Sequence, residues 1–155
     1  MRQFRDPSEA AAILQPHLEA GETLRHWASG VRQPSVWLLL PLAALAIVPA
    51  VVAAFLLTKD YVVGLTDRRF VVLRMGASGL EPAEILAYDL CALPPVKAST
   101  GPLFTHIAVQ DPERSFQAKF NGAGMPGNRE YAVAIAAALT GGVTSERGRS
   151  AVGPS

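Results

Sequence analysis

Thr66-Asp67-Arg68-Arg69 is the most distinctive polar group in this chain, and two kinds of chemistry are open to it. Asp and Thr side chains bond readily to nearby backbone N–H groups, so the four residues fit a tight turn with the arginines facing solvent. With Lys59 and Arg74 the arginines also form a basic set close to a long apolar run. Such a set can touch anionic lipid headgroups, at about 1 kcal/mol per charge near a membrane surface. The other candidates are weaker. His17, His26 and His106 are scattered, with no i, i+4 pair and no carboxylate at ligand spacing, so a metal site is not expected. The glycines between Asn121 and Gly127 precede a helix start, where anions are attracted, but lack the Gly-Lys-Ser/Thr ending of a phosphate loop. No G-x-S-x-G elbow and no H-E-x-x-H pair stands anywhere in the chain. The sequence therefore predicts no enzyme and no cofactor.

The elements that must position these residues read as follows. Asp6-Pro7-Ser8-Glu9 is a helix start: Asp as N-cap, Pro at the first helical position and Glu three residues after the cap. Ile13, Leu14 and Leu18 give that short helix a narrow apolar stripe, and Pro16 bends or ends it. Residues 1–20 form this N-terminal unit, and residues 21–35, with TLRHWASGVR, form a candidate first strand. After residue 58 the texture is β. YVVGLT (61–66) and RFVVLRM (69–75) flank Asp67-Arg68 as a hairpin. ILAYDL (85–90) is a third strand, and Leu93–Ala98 a weaker one that Pro94 and Pro95 confine to an edge. FTHIAVQ (104–110) and SFQAKF (115–120) make another hairpin. Asn128 is the expected N-cap of a last helix whose Tyr131, Ile135, Ala138 and Leu139 share one face. Gly141-Gly142 ends it, and 141–155 reads as a disordered polar tail. Cys91, the only cysteine, is expected as a small buried hydrophobe on a strand.

Between these parts lies SVWLLLPLAALAIVPAVVAAFLLT, with no charge from Arg32 to Lys59. Its 22 apolar and proline residues, 36–57, would span about 33 Å as one helix, close to the thickness of a bilayer's hydrocarbon core. Trp37 suits the interface at one end, Pro41 lies near the first turn, and Phe55 is among the large apolar side chains of the second half. Pro49, near the middle, kinks the run if it crosses once or breaks it into a re-entrant hairpin of 37–48 and 50–57. A single crossing is the expectation, with a helix buried in a soluble core as the alternative to membrane insertion. The net charge of +1 argues against a nucleic-acid binder that relies on bulk positive charge. The lysines and arginines after the run favour a cytoplasmic C-terminal side.

Successive antiparallel hairpins closed by one C-terminal helix resemble the pleckstrin-homology (PH) fold. The stretch Gly64-Leu65-Thr66-Asp67-Arg68-Arg69-Phe70-Val71-Val72, followed by Arg74 and Gly76, is similar to the LTDRR hairpin of bacterial PH-like domains. Leu18 with Gly21-Glu22 resembles the L-x-x-G-E entry of some members. The resemblance covers about Gly21 to Thr140. It implies a mainly β (α+β) fold: a PH-like antiparallel barrel or sandwich over 59–140 with a C-terminal capping helix, plus a hydrophobic membrane helix. It also implies a membrane-anchored binding or scaffold module at the cytoplasmic face of the cell membrane. Its partners would be the lipid bilayer and a protein partner or a second copy. PH domains that bind phosphoinositides do so through basic residues in their first loop, and no comparable Lys/Arg cluster stands here. The alternative is a soluble or peripheral protein that buries the run in an oligomer or a lipid-binding cavity. One tension remains within this reading: if 22–32 is a barrel strand, a single crossing would separate it from its partners.

Overall fold

Both faces of the hairpin at 59–75 are apolar, and both are covered. The structure, a computed structural model, describes residues 4, 6–33, 41, 44, 47–79, 81–122 and 125–141. Helix α1 (Pro7–Leu14) is capped by Asp6, whose carboxylate accepts the Ser8 N–H at 2.9 Å. A single 3-10 turn, Gln15–His17, follows it. Strand β1 (Leu24–Arg32) leads to helix α2 (Ile47–Leu57) and then β2 (Lys59–Thr66), β3 (Arg69–Met75) and β4 (Pro82–Asp89). Strands β5 (Val96–Thr100), β6 (Phe104–Val109) and β7 (Phe116–Asn121) and helix α3 (Asn128–Leu139) complete the order.

The strands form one antiparallel seven-stranded sheet in the order β4-β3-β2-β1-β7-β6-β5. Two meanders are thus joined along the β1–β7 seam, where Val31 pairs with Lys119. This mainly β arrangement with a C-terminal helix is consistent with a PH-like β-sandwich.

Alternation sorts the strands into two cores. Tyr61, Val63 and Leu65 of β2 and Phe70 and Val72 of β3 face the inside, where they meet Phe116, Phe120, Ile107 and the α3 residues Ala132, Ile135 and Ala136. Tyr61 and Phe70 both approach the Phe116 ring edge-on, with centroids 5.3 and 5.8 Å away. Val62, Val71, Leu73 and Met75 point the other way and are covered by Ala10 and Leu14 of α1, with Phe4 and Met125. That second layer explains why these strands read as unbroken apolar runs rather than alternating ones. Gly64 leaves the room α1 needs, since a Cβ there would stand 2.9 Å from Leu24 and 3.0 Å from Leu14. Trp27 ties the layers together by donating its Nε1–H to the Pro7 carbonyl at 2.8 Å and stacking on Tyr131.

Three expectations change. The third strand begins at Pro82, and Leu90–Ala92 is a 3-10 turn capped by Asp89, which places Cys91 on the surface. Asn128 is the first residue of α3, and Gly127, at φ +71°, holds the N-cap position without a side-chain bond. The Asn128 carboxamide is instead fully buried at the β1–β7 seam. The single membrane crossing is also overturned. Residues 24–32 are in the sheet, and Arg32 lies directly opposite Lys59 in the β1–β2 ladder. The chain leaves the domain and returns to it at one place.

Candidate functional site

Two places gather the polar residues singled out from sequence, and they lie at opposite ends of the β2–β3 hairpin. Arg69 opens β3 and Arg74 stands near its end, across from Tyr61. Five residues at about 3.4 Å each separate them by about 17 Å. Lys59, Arg68, Arg69 and Arg74 therefore form two separate groups.

At the turn end, the two motifs noticed separately in the sequence meet as one lock. The Glu22 carboxylate accepts from Arg69 at both oxygens, Nε to Oε1 at 3.1 Å and Nη2 to Oε2 at 2.7 Å. Oε1 also accepts the Thr66 hydroxyl at 2.6 Å, and Oε2 the Glu19 N–H at 2.8 Å. Arg69 reaches the Glu19 carboxylate as well, at 3.0 Å. The Glu22 side chain has no exposed surface, and that of Arg69 is one-fifth exposed. The paired guanidinium outweighs the cost of covering the carboxylate and, with the Thr66 and Glu19 bonds, holds Glu22 down at about 2. The same pairing raises Arg69. The Thr66 oxygen accepts the N–H groups of Arg68 and Arg69, and Asp67 accepts the Thr23 N–H at 2.9 Å while its own N–H donates to the Thr23 carbonyl. Thr66 thus supplies the expected turn chemistry, whereas Asp67 ties the start of β1 to the β2–β3 turn, and of the two arginines expected to face solvent only Arg68 does. Arg69 is committed to Glu22 and Glu19. Arg68 remains largely exposed, 3.8 Å from Asp67.

At the other end the apolar insertion leaves the sheet. Lys59, exposed at the start of β2, and Arg74, whose Nε lies 2.9 Å from Glu84, stand here. With Gln33, Leu56, Thr58 and Met75 they line a cleft of about 630 Å³ at the base of the insertion. Arg32 faces a smaller hollow of about 390 Å³, shared with Asp111, Pro112 and Ser115 of the β6–β7 loop. The β1–β2, β3–β4 and β6–β7 connections therefore open at this one end.

Helix α2 is the longest described part of the run. Ile47, Val48 and Leu56 are 75, 73 and 79% exposed, and Val51, Val52 and Leu57 are about half exposed. Ala50 is buried, and Ala53 and Ala54 are partly covered. This polarity is the reverse of a soluble amphipathic helix, which turns its large apolar residues inward. Pro49 stands in the first turn of α2, where its missing N–H costs little. Pro41 is helical and exposed, Phe55 lies within α2, and Trp37 falls outside the described residues. Among the described residues no helix is long and apolar enough to cross a membrane.

His17, His26 and His106 lie on three different elements, and among the described residues no three potential metal ligands converge. The Glu22–Arg69 pair escaped the sequence reading because 47 positions separate its members. The signal was available in two motifs, one carrying an acid and one a base, each at the start of a strand.

No family profile and no curated protein matches the chain. Among solved structures, the hSac2 domain from the human phosphoinositide phosphatase Sac2 is similar at 13% identity, over 88% of this chain and 82% of that one, with a TM-score of 0.46. A likeness at that level carries no inference about ligand or partner.

Proposed function

We propose that this chain is a non-enzymatic PH-like binding or scaffold module held at the cytoplasmic face of a cell membrane by the insertion between β1 and β2. The observation that supports it most is the outward face of α2, made of Ile, Val and Leu on a segment with no charge between Arg32 and Lys59. Water is a poor solvent for that face and the acyl region of a bilayer a good one. Arg32 and Lys59, at the base, would meet headgroup phosphates, with Arg74 behind them. Cations at the neck of a lipid-inserted segment suit the cytoplasmic side. The exposed edges β4 and β5 would remain free for a protein partner to add a strand, with Ile85 half exposed on β4. The second reading is a soluble oligomer that covers the same face with another copy.

The test is flotation of the full chain with phosphatidylcholine vesicles, followed by a wash in high salt. The full chain should float and resist the wash. A double variant, Val48→Asp with Leu56→Asp, changes only exposed positions and should stay at the bottom of the gradient with an unchanged circular dichroism spectrum. Detergent-free purification of the full chain as a defined oligomer that ignores vesicles would favour the second reading.

A further inference from the structure

We infer that the open edge of β4 is a docking strand for another protein, which adds to the sheet an extended segment with a basic residue opposite Glu84. Such docking rests on the binding-module reading above and is independent of its membrane anchor. The register follows from the ladder. The Leu90 N–H donates to the Arg68 carbonyl at 2.9 Å, in the same register that pairs Phe70 with Tyr88 and Val72 with Leu86. Hydrogen-bonded pairs recur at every second residue of an antiparallel ladder, so Leu86 and Tyr88 turn both their backbone groups to β3. Ile85 and Ala87 turn theirs the other way, where the sheet order ends among the described residues.

The two edges of the sheet are not alike. On β5, the Gln110 N–H bonds to the Pro95 carbonyl and the Gly101 N–H to the Phe104 carbonyl, which turns Val96, Ala98 and Thr100 to the open side. That strand carries the features that blunt an edge: it has five residues, Pro94-Pro95 leads into it, and Lys97 stands exposed within it. β4 has eight residues. Its own interruptions, Pro82 and the register shift beside Met75, are confined to its start. From Ile85 to Tyr88 the edge is apolar. The outer layer covers Leu73 completely but leaves Ile85, its ladder partner, about half exposed. An edge of that kind is a template for an added strand.

Charge chooses between a second copy and a different protein. No Lys or Arg stands between Arg74 and Lys97, whereas Glu81, Glu84 and Asp89 are all exposed along this edge. Arg74 approaches Glu84 at 2.9 Å, yet the Glu84 side chain stays about half exposed. A second copy paired antiparallel through β4 would bring the same three carboxylates to the seam again, and like charges at that distance oppose pairing. A foreign segment can instead place β-branched residues opposite Ile85 and Ala87 on one face and Lys or Arg opposite Glu84 on the other.

The probe is a fluorescein-labelled heptapeptide, Ser-Val-Thr-Val-Lys-Val-Lys. In antiparallel register its first two valines lie opposite Ala87 and Ile85 and its first lysine opposite Glu84. It is titrated into the full chain wherever that chain is monodisperse, in phosphatidylcholine nanodiscs or in buffer, and binding is read by fluorescence anisotropy. The peptide should bind. N-methylation of its second valine, whose N–H would face β4, should weaken binding at least tenfold. N-methylation of its threonine, whose N–H would face away, should change binding less than threefold. Glu84→Gln should weaken binding at least threefold and flatten its salt dependence. Ala87→Pro removes a donor only from the open side, and should abolish binding with an unchanged circular dichroism spectrum. The Ile85 and Ala87 amides should exchange hydrogen rapidly in the free chain and at least tenfold more slowly under saturating peptide. No binding at about 1 mM peptide, equal losses from the two methylated peptides, or amides already protected in the free chain overturns the docking edge. So does a dimer in sedimentation that Ala87→Pro disrupts and the peptide does not. A chain that floats with vesicles but fails these measures keeps its anchor and loses the docking edge.

Discussion

Replacing Glu22 with Gln tests the charge of the lock at the turn end. Gln keeps the shape, and its single carbonyl oxygen can still accept from Thr66 and the Arg69 Nε. Its NH2 group cannot accept from the Arg69 Nη2 or the Glu19 N–H, so the change removes the ionised carboxylate together with those two bonds. The structure sets its size. A fall of the Glu22 carboxyl from the ordinary 4.5 to about 2 would contribute at most about 3 kcal/mol, at about 1.4 kcal/mol per tenfold change in proton affinity. The cover over the pair is thin, because Arg69 is one-fifth exposed and Glu19 nearly two-thirds, and solvent screening brings the figure to about 1–2 kcal/mol. The sign follows from the lowered pKa. The contribution is fully present above pH 4.5, where the unfolded chain is also ionised, and is lost as pH falls toward 2. Urea unfolding at closely spaced pH values should show Glu22→Gln less stable than the parent by about 1–2 kcal/mol at pH 6–7. The two should converge between pH 4.5 and 2. A gap that stays constant down to pH 2.5 would refute the charge argument and leave only packing.

Asn128→Ala removes a buried carboxamide that accepts the Ser29 N–H at 2.7 Å and donates to the carbonyls of Ser29, at 2.8 Å, and Asn121. Leaving those backbone groups unpaired should cost about 2–4 kcal/mol in urea unfolding, and hydrogen exchange should quicken at Ser29 before β2 and β3 open. Gly30→Ala would put a methyl 2.6 Å from the Phe120 ring, and should destabilise by about 1–3 kcal/mol. The double variant Gly30→Ala with Phe120→Leu should cost less than the sum of the single changes, by at least about 0.5 kcal/mol, because the shorter side chain clears the clash.

Local signals carried the parts of the fold that local physics decides. Asp6-Pro7 capped a helix because its bond to Ser8 needs no distant partner. The β2–β3 and β6–β7 hairpins followed from two apolar runs and a polar turn. Where a distant partner decides, the reading failed in recognisable ways. Asn128 has the side chain of a good N-cap, but the single-residue ladder between β1 and β7 left Ser29 without a partner on its β7 side, and the carboxamide took both its backbone groups. Cys91 left the expected strand because Asp89 caps a 3-10 turn over it. The basic set came apart because sequence proximity along a hairpin becomes distance along a strand. α1 as a second cover was legible in principle, since strands apolar on both faces require two layers.

Opening the sheet between its two central strands has a cost that the rest of the molecule offsets. A loop of 26 residues in place of a four-residue turn adds about 1.7 kcal/mol of closure entropy. It also removes the local nucleus from which a β1–β2 hairpin would zip. β1 is accordingly held at points that do not depend on its turn. Glu22 and Thr23 fix its entry to the β2–β3 turn, Trp27 fixes its middle to α1 and α3, and Asn128 fixes Ser29 to β7. The Glu22 contribution alone is of the same order as the closure cost. The lock at one end of the hairpin and the apolar insertion at the other are then parts of one solution: the first lets β1 and β2 stay paired while the second departs from between them.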